Sequence, residues 1–271
     1  MHLSVRPFLA VVAVLAGWLG GPAAQAQELG TTAPPPAPAP AAAAAVDPTL
    51  APGPKAYLAD RLGTLGTLDL GNGAVRVIGI LRPSPRAARV VMTDIAFCPG
   101  GSLYGITFTT LYRINPATAQ TTLIGGFGSR TLALNSLVCN ATGQLLAYSN
   151  TSSRLFRVNR TSGLATLAGQ GGSFRSAGDL AYHEGNLFLS STNRQLVKLN
   201  KITGAPISSK LHNIANLFGL VSTGTNRLYG FADTQAYLLN EDTGGKTLLF
   251  QFAGRGLAQI YGAAFNGNFQ S

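Results

Sequence analysis

The chain has 271 residues, with 20 Lys and Arg against 10 Asp and Glu and a formal net charge of +10. A basic balance favours anionic surfaces such as lipid head groups or acidic polysaccharide, but no nucleic-acid-binding fold or basic helix is legible, which sets DNA and RNA aside. Two cysteines cannot build a cysteine metal centre, and with only 11% charged residues the surface must lean on Ser, Thr, Asn and Gln.

Met1–Ala26 has the pattern of a secretory signal peptide. His2 and Arg6 precede an apolar run, Phe8–Leu19, and Ala24-Gln25-Ala26 is a small-x-small cleavage site. The run is too short to span a bilayer comfortably, so no membrane span is expected after cleavage. The expected location is secreted, periplasmic or at the cell surface. Gln27–Pro54 is rich in Ala and Pro. It cannot bury a core and reads as an extended tether. Lys55–Ser271 is long enough for one domain with a substantial core.

That domain repeats itself. Segments opening at Leu103, Leu145, Leu187 and Leu228 share one pattern at intervals of 42, 42 and 41 residues. Each unit predicts four short strands. The first is a small apolar run, as in Asp94–Phe97, Ser136–Cys139, Asp179–Tyr182 and Gly219–Ser222. The second begins at the leucine. The last two are joined by an Asn-x-x-Thr/Ser-Gly turn, as in Asn159–Gly163, Asn200–Gly204 and Asn240–Gly244. In such a turn the Asn side chain caps backbone amides and Gly accepts a positive φ. Four strands per unit at this period indicate a β-propeller. The two chain ends supply a split unit. Tyr57–Ile78 matches strands two to four, and Gly262–Phe265 matches strand one. The expectation is an all-β, five-bladed propeller closed by pairing of the N- and C-terminal strands, with a six-bladed ring as the alternative.

The units, with Ala96-Phe97-x-Pro99-Gly100 leading to Leu103-Tyr104-Gly105 and then Leu111–Asn115, resemble the repeats of secreted bacterial propellers of the NHL/YVTN-like kind. The resemblance runs from about Tyr57 to Phe265. It implies the fold and carries little about function, because such propellers do many jobs.

Cys98 and Cys139 fall one register apart on the first strands of neighbouring units. Export permits a disulfide, whereas a one-residue offset turns side chains to opposite faces. Both a disulfide and two buried thiols remain open at this level. His183 and His212 have no metal-ligand spacing, and no cofactor or metal is expected.

Candidate site residues follow from the repeat alignment. Asp94, Ser136 and Asp179 open their inner strands and are expected to ring the channel mouth, with Gly219 and Gly262 in the equivalent places. Asp94 and Asp179 could act on a ligand, by holding a cation or as an acid/base pair, or cap backbone amides at the strand start. Arg130, Arg175, Lys210 and Arg255 lie in the crossings between units. With Arg82, Arg86, Arg89, Arg61, Arg154 and Arg194 they would crown one face with cations. Guanidinium forks suit carboxylate, sulfate or phosphate. The motifs of serine hydrolases, zinc proteases and P-loop enzymes are missing. Three readings follow: a non-enzymatic propeller that binds an anionic ligand, polysaccharide or protein partner on its basic face; a glycosidase- or lactonase-like hydrolase using Asp94 and Asp179; and a structural cell-surface protein.

Overall fold

The protein is described here from a computed structural model, which covers residues 50–224, 227–267 and 269. The signal-peptide segment and most of the Ala/Pro tether lie outside the described residues. Five antiparallel four-stranded sheets make up the fold, a five-bladed β-propeller. Blade 1 contains β1 (Lys55–Asp60), β2 (Thr64–Asp69) and β3 (Val75–Ile80). Blade 2 follows with β4 (Asp94–Cys98), β5 (Ser102–Ile106), β6 (Thr110–Ile114) and β7 (Thr121–Gly126). Blade 3 has β8 (Leu134–Cys139), β9 (Leu145–Ser149), β10 (Arg154–Val158) and β11 (Ala165–Gln170). Blade 4 has β12 (Ser176–His183), β13 (Asn186–Ser191), β14 (Gln195–Leu199) and β15 (Pro206–Leu211). Blade 5 has β16 (Leu217–Thr223), β17 (Arg227–Ala232), β18 (Gln235–Leu239) and β19 (Lys246–Gln251), and β20 (Ile260–Phe265) ends the series.

β20 does not extend blade 5. It pairs with β1, with Tyr57 opposite Ala264 and Leu58 opposite Ala263, so the last strand becomes the inner strand of blade 1. This closure removes the exposed edge that an open ring would leave. The six-bladed alternative is not realised.

Each gap between neighbouring blades is filled by its own apolar cluster. Ile106, Leu137 and Phe156 lie between blades 2 and 3; Leu58, Tyr229 and Phe231 between blades 5 and 1. Leu65, Phe97 and Leu103 fill the first gap, Tyr148, Leu187 and Leu189 the third, and Phe188, Leu217 and Leu228 the fourth. Because a blade is covered on both faces, its middle strands are buried along their whole length, as in β9. Such strands read as continuous apolar runs rather than alternating ones.

The turn chemistry is as the sequence suggests. Asn159 Oδ1 accepts the amides of Thr161 and Ser162, and Asn200 and Asn240 repeat the arrangement. Gly163 leaves the turn at φ 80°. It also lies against the previous blade: a Cβ on Gly125 of β7 would sit 2.1 Å from Ser162 O. The ragged outer strand is therefore shaped by the turn that leans on it. The end of the Ala/Pro segment is docked as well. Gly53 N–H donates to Asp69 Oδ1 and Leu70 N–H to Pro54 O, so residues 53 and 54 lie against blade 1.

Cys98 and Cys139 form a disulfide across the gap between blades 2 and 3, with Cα atoms 5.1 Å apart. The register objection fails for a geometric reason. Within one sheet, an offset of one residue points side chains apart. Between two stacked sheets, it is opposite faces that meet, so the offset is what brings the sulfurs together. The closed loop spans 41 residues. In the chain-entropy picture a loop of that length is worth about 4 kcal/mol. Replacing both cysteines by serine should lower the urea-unfolding free energy by about 2–4 kcal/mol, and dithiothreitol should bring the wild-type protein to the same midpoint.

Candidate functional site

Inner strands run from one face of the ring to the other. On the face where they begin, the turns between second and third strands and the crossings between blades enclose a funnel of about 520 Å³. Its inner ring is Thr93, Asn135, Gly178, Phe218 and Tyr261. Each stands one residue before the position the alignment selected. In a strand a single step reverses the side chain, so the funnel is lined by the neighbours of the predicted residues.

The predicted residues themselves lie below the funnel floor. Asp94, Ser136 and Asp179 are fully buried. Asp94 Oδ1 accepts Ile95 N–H at 2.7 Å, and Oδ2 accepts Leu137 N–H at 2.6 Å from the next blade. Asp179 Oδ2 accepts Leu220 N–H at 2.6 Å, again one blade onward. Ser136 Oγ hydrogen-bonds within its own sheet, to the backbone of Tyr148. The carboxylates thus cap backbone amides at the strand starts, the second of the two roles open to them. They also face each other across the propeller axis. Burial raises both pKa values well above the ordinary carboxylate range, and the charge of Asp179 raises that of Asp94 further. Asp179 Oδ1 meets no ordinary hydrogen-bond donor. A proton held between the carboxyls supplies one. Gly262 makes room, since a Cβ there would lie 2.5 Å from Asp94 Cα. Beyond the pair the inner strands line a separate cavity of about 50 Å³. Both carboxylates are fully buried and neither lines the funnel.

The predicted cationic crown is only partly assembled at the funnel. Arg194, in the β13–β14 turn, lines it and is exposed. Among the described residues its guanidinium has no hydrogen-bond or ion-pair partner. Arg130, Arg175 and Lys210 are exposed but stand outside the funnel wall, and Arg255 is half-buried and donates to Gly73 O. The wall contains no Asp, Glu, Lys, Cys or His. Tyr261 and Phe218 form an edge-to-face pair with centroids 5.9 Å apart, and Phe108 adds an exposed ring.

Asn135 is the residue that the alignment missed and the geometry marks. It is buried, and its Nδ2 donates to Ser176 O and Ala177 O. Among the described residues its Oδ1 has no partner. A buried acceptor left unpaired in this way costs about 1–3 kcal/mol, and a ligand donor recovers it only where the wall shifts to uncover Oδ1. The only sequence signal was its place beside Ser136.

His212 holds the wall from behind. Its Nδ1 accepts Ile214 N–H at 3.0 Å, its backbone N–H donates to Arg194 O, and Lys246 Nζ donates to the carbonyls of His212 and Asn213. Burial, with Lys246 and Arg194 adding repulsion, lowers its pKa to about 4.

Two pH responses of opposite sign follow. The unfolded chain protonates His212 below about pH 6.5 while the native state refuses the proton, so stability is lost as pH falls from about 6.5 to about 4. His212→Asn keeps the acceptor for Ile214 without titrating. Urea unfolding should show the variant sparing up to about 3 kcal/mol of the wild-type acid loss. The aspartate pair tilts the other way. The native state retains a proton that the unfolded chain has released, so stability falls as pH rises through the raised pKa. Asp179→Asn offers a permanent donor toward Asp94 and an acceptor to Leu220. Its stability relative to wild type should improve as pH rises above the ordinary carboxylate range, measured by the same unfolding assay.

No protein-family model matches this sequence, and no curated protein is similar to it by sequence. Solved structures are similar in fold. The nidogen/laminin complex aligns at 15% identity over 79% of this chain and 83% of the matched one, with a TM-score of 0.51. Myxococcus xanthus glutaminyl cyclase aligns at 14% identity over 64% and 70%, with a TM-score of 0.47. A structural-genomics protein of unknown function from Bacteroides thetaiotaomicron aligns at 13% identity over 83% and 68%, with a TM-score of 0.49. At such identities the likeness speaks for the β-propeller fold alone.

Proposed function

We propose that this protein is an exported, non-enzymatic binding propeller whose funnel takes an anionic, hydroxyl-bearing ligand, of the kind found at the end of an acidic glycan. The carrying observation is the pairing of an unpartnered guanidinium, Arg194, with an unpartnered buried acceptor, Asn135 Oδ1, on the wall of one funnel. Arg194 suits a carboxylate or sulfate. Asn135 suits a hydroxyl or amide donor. The rings of Phe108, Phe218 and Tyr261 offer apolar faces for the carbon skeleton between them. Among the described residues no carboxylate lines the funnel, and the nearby Asp233 is engaged by Asn216 and Gln259.

The same wall argues against hydrolysis. Among the described residues its titratable side chains are Arg194 and Tyr261, and the buried Asp94 and Asp179 are engaged with backbone amides. A purely structural surface role leaves the two open polar groups of the funnel without a purpose. Export is supported by the signal-like Met1–Ala26 and by a disulfide, which persists in oxidising compartments. The repeat resemblance to NHL/YVTN-like secreted propellers agrees with it.

The test is a binding array of uronate-containing and sulfated oligosaccharides against their neutral counterparts, on the full chain. Acidic members should bind selectively, and affinity should weaken as salt rises from about 50 to 500 mM. Arg194→Ala should weaken binding by about 10- to 100-fold, whereas reversing Arg130 and Arg175 on the rim should change it little. Acidic-glycan binding indifferent to Arg194 and to salt would overturn the proposal.

A further inference from the structure

On the face opposite the funnel, three side chains from two blades converge. His183 ends β12 and is buried, Glu184 opens the following turn and is exposed, and Glu241 sits in the turn between β18 and β19. Their ligand atoms all lie within 4.8 Å of one another. We infer that His183, Glu184 and Glu241 form a binding site for a divalent transition-metal ion of the Zn²⁺ class, which clips blade 4 to blade 5.

The hydrogen bonding around the histidine carries the argument. His183 Nδ1 lies 2.8 Å from Ser222 Oγ. With the ring proton on Nδ1, as in metal-ligating histidines whose second nitrogen donates to a neighbour, Nε2 presents a lone pair. That lone pair faces Glu241 Oε1 at 3.3 Å. The distance is long for a charge-assisted hydrogen bond, which settles at about 2.7–2.9 Å. It suits two ligands on one ion: donors about 2.0–2.1 Å from a tetrahedral Zn²⁺ stand about 3.3 Å apart. A cation there converts the opposition of a lone pair and a carboxylate oxygen into two bonds.

The surroundings fit a bound ion. Glu241 is held by its turn, because Asn240 Oδ1 accepts the amides of Asp242 and Thr243 and leaves the Glu241 side chain free to point at His183. The Glu241 side chain is 22% exposed, so an ion can enter from solvent. Glu184 can close the third position by rotating its exposed side chain, and water completes a tetrahedron. One nitrogen and two carboxylates select Zn²⁺ over Ca²⁺ or Mg²⁺, which demand about six oxygens. No local motif announces the site, because Glu241 comes from the next blade. Sequence spacing around His183 accordingly gave no reason to expect a metal.

Isothermal titration of the full chain with ZnCl2 should find one ion per chain, and thermal unfolding should show Tm rising with Zn²⁺ but not with equal Mg²⁺ or Ca²⁺. Glu241→Gln and Glu184→Gln should each weaken binding by about tenfold or more and shrink the Tm rise. His183→Gln should abolish the rise. His183 is buried and that variant can fail to fold, but Glu184 is exposed and its substitution leaves the fold intact, so Glu184→Gln decides the matter. Absence of a one-to-one event, a Tm response shared by Mg²⁺, or binding unchanged by Glu184→Gln and Glu241→Gln would show adventitious ions only and overturn the inference.

Discussion

Crowding at the axis governs this molecule. Five inner strands converge where there is no room for five full side chains. A methyl on residue 219 would come within 2.9 Å of Ala263 Cβ, and one on residue 262 within 2.5 Å of Asp94 Cα. Two blades therefore give up their side chains at this level so that two others can place carboxyls there. Those carboxyls repay the space by accepting amides from the next blade, which ties the inner strands together where apolar packing is thinnest. Below the funnel the inner strands leave only a separate cavity of about 50 Å³, far smaller than the cup above it.

The wedge between blades works in the opposite sense. Gaps widen outward, and each is packed with large residues from both facing sheets, such as Tyr148 against Leu187 and Leu189. Large side chains away from the axis and small ones at it form a radial gradient that the linear repeat encodes by position. The polar chemistry is displaced to the two ends of the inner strands. The funnel rim holds Arg194 and Asn135, and the far end holds His183 and its carboxylates.

Most of the architecture was legible because the repeat is local. Leucines at even spacing, the Asn-to-Gly turns, and the matched ends at Tyr57–Ile78 and Gly262–Phe265 each specify a piece of a blade without reference to distant residues. The candidate site was legible only to within one residue. Asp94 and Asp179 draw the eye because they are charged, yet charge at that position faces inward and Asn135, a residue earlier, faces the cup. Alignment yields blade and height but not side-chain direction, which depends on where a β-bulge resets the pleat; β8 and β12 both carry one beside the funnel. The disulfide was unreadable for a related reason. Register rules learned within a sheet invert between facing sheets. Contacts such as His183 with Glu241 join different repeats and leave no trace in the spacing of either.

The strand that completes blade 1 is synthesised after every other strand among the described residues. Tyr57 must wait for Ala264, about two hundred residues later, before its sheet is whole. Through all of translation and any passage across a membrane, β1 shows a bare hydrogen-bonding rim and Leu58 and Ala56 lie uncovered. Such a nascent chain is a natural client for a chaperone and a ready partner for another unfinished copy. A stop codon or a protease cut before Ile260 removes the whole of the clasp.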